Sequence, residues 1–111
     1  MVNREFINNR FKLACHRLVA RELRRDQSLL EDAKEIVRQW SSEPSPAAFV
    51  SDWANLLSNP VEDLCREMVK RDEHMTWLRI SSPFLNLIPQ YLSNDDRLRL
   101  WKIVKRGYTT D

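Results

Sequence analysis

Glycine is nearly missing from this chain: its 111 residues include one, Gly107. Short hairpin turns lean on glycine, so a sheet built from hairpins is not expected. A glycine-rich phosphate loop is ruled out on the same ground. Cysteine and histidine are almost as scarce, with Cys15, Cys65, His16 and His74 the full inventory. That is too few for a disulfide framework, and the spacing matches no metal motif. No apolar run approaches the roughly 18 residues of a membrane span. The opening Met-Val-Asn-Arg-Glu has no charged head, apolar middle or small-residue cleavage site of a secretory signal. The expectation is a cytoplasmic protein with no membrane contact and no cofactor. Cys15 and Cys65 fall on apolar helix faces and read as buried, reduced thiols.

What is present points to helices. Hydrophobic residues make up 42% of the chain and charged residues 31%, a globular balance. Leu, Ala, Glu, Arg and Lys, all good helix formers, fill the segments between turns. The length suits one domain over 1–111. The expected fold is all-α, a compact bundle of five to six helices around a shared core rich in Trp and Leu. Trp40, Trp53, Trp77 and Trp101 come from four different segments, which favours one core over two.

The first helix is expected over 4–24. Ile7, Phe11, Ala14, Cys15 and Leu18 recur at helical spacing, and Phe6, Leu13 and Ala20 extend the apolar surface to another side. A helix apolar over most of its circumference is contacted by several others. The second begins near Ser28, with Glu31 completing a capping box or Asp26 as the alternative cap. Ser45-Pro46 and Asn59-Pro60 are each read as a cap followed by proline at the first helical position. A short helix follows from Glu73 to Ile80, capped by Asp72 and stopped by Pro83. The apolar 84–92, broken by Pro89, reads as irregular or a single turn. The last helix is capped by Ser93 with Asp96 three residues on, and is expected to close near Arg106-Gly107.

A catalytic set is not evident. Cys15 and His16 are sequence neighbours, about 100° apart on a helix, and so cannot pair as nucleophile and base. Both histidines fall on polar faces and read as solvated or capping, and paired acids such as Glu62/Asp63 and Asp95/Asp96 read as first-turn residues. The chain is therefore expected to bind rather than to catalyse.

Charge is unevenly placed although the net value is only +2. Both ends are basic and the middle is acidic. Arg10, Arg17, Arg21 and Arg24 form one stripe on the first helix. They suit either internal pairing with the acidic middle helices or an acidic partner protein, since a guanidinium fork matches a carboxylate. Arg97, Arg99, Lys102, Lys105 and Arg106 near the C-terminus give an alternative, nucleic-acid reading through phosphate contacts. The acids Glu62, Asp63 and Glu67, and a pI of about 8.7, weigh against it. The run Trp77-Leu-Arg-Ile-Ser-Ser-Pro-Phe84 has two readings as well. In one, Arg79 binds carbonyls at helix ends while Ser81 and Ser82 satisfy the turn. In the other, Arg79-Ile80-Ser81-Ser82 is an exposed loop and Phe84 is an apolar plug for a partner.

The chain carries Phe11-Lys-Leu-Ala-Cys-His-Arg-Leu18, Asp26-x-x-Leu-Leu, Trp40, Trp53-x-x-Leu-Leu, Leu78-Arg-Ile-Ser-Ser-Pro-Phe84 and Asp96-Arg-x-x-x-Trp101 in order. This order resembles that of small bacterial helical proteins encoded beside a second protein in two-component loci of the toxin–antitoxin kind. The resemblance implies an antitoxin-like binding protein whose partner is a cognate toxin or another acidic-surfaced protein. A mobile-element inhibitor of a host complex is a further alternative.

Overall fold

A computed structural model describes residues 4–91 and 93–109, with side chains placed for 7–88 and 93–105. Among them are seven helices and no strand: α1 (Arg4–Arg25), α2 (Ser28–Ser41), α3 (Ala48–Leu57), α4 (Val61–Glu67), α5 (Glu73–Ile80), α6 (Pro83–Tyr91) and α7 (Asn94–Thr109). The all-α architecture is as expected, with one helix more. The additional helix is α6, expected to be irregular. Ser82 immediately precedes it, and its Oγ accepts the Phe84 N–H at 3.1 Å. Pro83 then occupies the first helical position, where a missing N–H costs nothing. The proline that stops α5 therefore starts α6, and Phe84, Leu87 and Ile88 make a buried stripe at helical spacing. Helix α7 runs past Gly107 to Thr109, and the side chains of Arg106 and Tyr108 to Asp111 lie outside the described residues.

Capping follows the expected residues in some places and not in others. The Asp72 carboxylate accepts the Met75 N–H at 2.7 Å to open α5, and Ser93 Oγ accepts that of Asp96 at 3.0 Å to open α7. At α2 neither expected cap holds the N-cap position, which is Gln27 without a side-chain cap bond; the Asp26 carboxylate, one residue earlier, takes the Ser28 N–H at 3.0 Å. Helices α3 and α4 start one or two residues later than expected. Ala47 (ψ 157°) and Pro60 (ψ 148°) are extended, so neither Ser45 nor Asn59 caps a helix. Proline's fixed φ suits extended chain as well as a first helical turn, and here the former prevails.

Helix α1 packs against α2, α4, α5, α6 and α7, the central role its apolar circumference implied. The molecule measures 46 × 30 × 24 Å. Its core is dominated by leucine, with Leu13, Leu23, Leu29, Leu57, Leu64 and Leu78 all buried. Tryptophan contributes less than expected. Trp53 alone of the four is fully buried, Trp40 and Trp101 are half-buried, and Trp77 is 45% exposed. The half-buried pair pack edge-on against neighbouring helices instead, Trp40 on Phe49 and Trp101 on Phe11 with ring centroids 5.6 and 5.3 Å apart. Both cysteines are buried and unpaired. Burial pushes the Cys15 thiol up to about 11 and raises that of Cys65, so both stay protonated at neutral pH.

Candidate functional site

The α5–α6 junction, the stretch singled out in the sequence, is where five helices are tied together. Arg79 leaves the last turn of α5 and is 3% exposed. Its Nη1 donates to the carbonyls of Met68 and Lys70, at 3.0 and 2.7 Å. These lie at and just past the C-terminal end of α4, where unsatisfied carbonyls concentrate partial negative charge. Nη2 reaches Thr76 Oγ1 at 3.4 Å. Arg79 is thus the internal tie between helix ends that one sequence reading expected. Burial, with the like charges of Arg17 and Arg10, lowers its pKa, while the Asp72 carboxylate works the other way.

Below Arg79 sits His16, fully buried rather than solvated. Nδ1 lies 2.6 Å from the Lys12 carbonyl, which can only accept, so that nitrogen carries the proton. Nε2 then accepts the Ser82 hydroxyl at 2.7 Å, and Ser82 Oγ in turn accepts the Phe84 N–H. Trp53 stacks on the imidazole (6.2 Å between centroids, 23°), Phe84 meets it edge-on, and Trp53 Nε1 donates to the Leu78 carbonyl at 3.0 Å. The side-chain polar atoms of His16, Ser82 and Trp53 are all used within this cluster, as buried polar groups require. Burial, assisted by the Arg79 and Lys12 charges, holds the imidazole pKa down at about 4. A serine and a histidine at this distance resemble a nucleophile–base pair. Here the serine spends its proton and its lone pair on holding α1 to α6.

These facts correct the exposed-loop reading. Phe84 is fully buried and Ser82 and Arg79 nearly so, and a side chain in the core cannot plug a partner's pocket. Ser81 remains half-buried. Of the arginine stripe, Arg24 pairs internally with Glu62 of α4 at 3.0 Å, as the acidic middle of the chain invited. Arg10 is half-buried beside Arg79, whereas Arg17 and Arg21 are exposed. On α7, Arg99, Lys102 and Lys105 are exposed. Arg97 is half-buried with Nη2 bonded to Asn94 Oδ1, and Arg106 lies outside the described side chains. His74 is exposed on α5, near Asp52 and against Trp77.

The structure brings forward two apolar residues of α5: Trp77, expected in the core, and Ile80, part of the exposed-loop reading. Trp77 is 45% exposed and Ile80 50%. Three residues apart on α5, they form one apolar ridge. Ile80 is also a wall of an open groove lined by Trp40, Phe49, Ser81 and Leu85, with a volume of about 280 Å³. The signal was in the sequence. Met75, Trp77, Leu78 and Ile80 spread apolar groups around more than one face of an eight-residue helix, and a helix at the edge of a bundle buries one face only. Thr76 and Arg79 form the adjoining row, offset by about 100°, which turns toward α1.

Among the described residues no helix is long and apolar enough to cross a membrane, and no group of His, Cys, Asp and Glu is placed to hold a metal ion. Comparison with protein-family models, curated proteins and solved structures returns no match.

Proposed function

We propose that the chain is a non-enzymatic, antitoxin-like binding module of the cytoplasm that neutralises or regulates a protein partner. The observation that carries this reading is the Trp77–Ile80 ridge, two large apolar side chains left in solvent beside a groove. Aromatic and aliphatic anchors of this kind, rimmed by charge, supply most of the energy of protein interfaces. The exposed Arg17 and Arg21 of α1 complement an acidic partner surface and would act mainly on its rate and orientation of approach. The ordered resemblance to toxin–antitoxin companions supports the same reading. A nucleic-acid role has one observation in its favour, the exposure of Arg99, Lys102 and Lys105 along α7. The apolar Leu98 and Ile103, both more than half exposed on that helix, fit a phosphate-tracking face poorly.

The test is co-expression with the product of the neighbouring gene. Wild-type chain should relieve that product's toxicity and co-purify with it at fixed stoichiometry. Trp77→Ala with Ile80→Asp should fold normally and do neither. A neighbour without toxicity, or rescue untouched by the double variant, removes the reading. Retention on duplex DNA that falls steeply with salt and is lost on Lys102→Gln would favour the nucleic-acid role instead.

A further inference from the structure

Between α1 and α5 lies a recess of about 160 Å³ whose walls are Asn9, Arg10, Leu13, Arg71, Thr76 and Arg79. Among the described residues that line it, three are arginines and none is acidic. We infer that this recess is a binding site for a phosphate-type oxyanion. The inference is independent of the protein-binding reading, since it concerns a different row of α5 and a different ligand.

Three observations carry it. The first is charge. Arg10, Arg71 and Arg79 share the walls of the recess, and the charges of Arg17 and Arg10 add in the same direction to the burial that lowers the Arg79 pKa. Guanidiniums crowded in this way repel one another, and an anion between them reverses the sign of the interaction. Asp72 is the acid whose charge acts on Arg79, but its carboxylate caps α5 through the Met75 N–H and does not line the recess. The second is an orphaned donor. Arg79 is 3% exposed, and its Nε finds no hydrogen-bond partner among the described residues although Nη1 and Nη2 do. A buried unpaired N–H carries a penalty, and the residue that carries it is itself a wall of the recess. The third is size. Drug-sized ligands and nucleotides occupy cavities of roughly 300–1,000 Å³. A recess half the lower bound suits a single tetrahedral oxyanion with water around it. A carboxylate carries one charge and is saturated by one arginine fork, whereas a phosphate dianion has the charge and the spread of oxygens to engage three.

The recess lies where an anion would matter to the fold. Arg79 already holds the end of α4, and Arg10 belongs to the central helix, so an oxyanion here ties α1, α5 and the 68–72 link together. Binding to the folded state alone raises apparent stability in proportion to the logarithm of ligand concentration.

The experiment is calorimetric titration of the full chain with inorganic phosphate at constant ionic strength, paired with thermal melting. Saturable one-to-one binding and a melting temperature that climbs with phosphate are expected, with sodium acetate at equal ionic strength giving neither. Arg71→Gln, an exposed side chain with no structural bond in the fold, should weaken phosphate binding about tenfold or more. Arg25→Gln, at the far end of α1, should leave it unchanged. O-phosphoserine separates the two sources of the group: if it competes with phosphate the site takes phosphoryl esters, and if it does not the ligand is the free ion. Either outcome supports an oxyanion site. Absence of saturable binding, equal binding of acetate, or an Arg71→Gln titration matching wild type would overturn it. Failure here leaves the partner-rescue result untouched, because that assay reads Trp77 and Ile80.

Discussion

Acidification from pH 7 to pH 5 should destabilise this fold by about 2 kcal/mol through His16 alone. The imidazole is fully buried, its Nδ1–H is committed to the Lys12 carbonyl, and its Nε2 accepts from Ser82. Adding a proton at Nε2 would set two donors against each other and place a charge between Trp53 and Phe84, with Arg79 and Lys12 already nearby. The folded pKa therefore lies near 4, against 6.5 for the free side chain. The sign follows directly. Because the folded value is below the unfolded one, the unfolded chain takes up the proton first. The contribution is complete above pH 6.5, declines as pH falls, and is exhausted near pH 4. Over the full window it amounts to ~3 kcal/mol. The upper part, between pH 6.5 and 5, precedes most carboxylate titration and so isolates the histidine. Urea unfolding followed by tryptophan fluorescence at pH 7, 6 and 5 measures the slope. His16→Gln should be less stable at pH 7 yet lose much less between pH 7 and 5. Equal slopes for wild type and His16→Gln, or an imidazole that titrates near 6.5 in the folded protein by NMR, would refute the reasoning.

Three further outcomes follow from the same contacts. Arg79→Ala frees the Met68 and Lys70 carbonyls and should lose about 2 kcal/mol or more, read as a lower urea midpoint. Phe84→Ala opens a cavity against Trp53 and His16 and should cost about 3–5 kcal/mol, enough to leave little folded protein at 37 °C. Ser82→Ala removes both the α6 cap and the donor to His16, for a loss of about 1–2 kcal/mol by thermal melting.

Much of the fold was legible in the sequence, and the exceptions have physical causes. The Asp72 and Ser93 caps are where an acceptor side chain before an apolar-periodic run required them. The central position of α1 followed from its apolar circumference. That same property hid His16. A helix surrounded on most sides has little polar face, and His16 stands in the row Leu13, His16, Ala20, Leu23, spaced three, four and three and buried throughout. The row was available to be read, but the residue type suggested solvent. Pro83 was ambiguous for a different reason. Proline ends one helix and begins another by the same chemistry, and only the Ser82 hydroxyl on the Phe84 N–H decides for α6.

The candidate site was less legible because exposure is a property of the assembled bundle. Arg79, Ser82 and Phe84 looked available as a loop and are interior once α1 and α3 close over them. Trp77 looked like core and lies on the outer row of a short edge helix. The Arg10, Arg71 and Arg79 recess joins residues far apart in the chain, so periodicity on any single helix does not reveal it.

We propose that the Trp77–Ile80 ridge holds a protein partner, while the Arg79–Ser82–His16 network beneath it holds the fold. Co-expression with the neighbouring gene product tests both halves together, using Trp77→Ala with Ile80→Asp alongside urea unfolding of the same protein. Rescue should be lost, with stability within about 0.5 kcal/mol of wild type. Full rescue by that variant, with its fold intact, would contradict it.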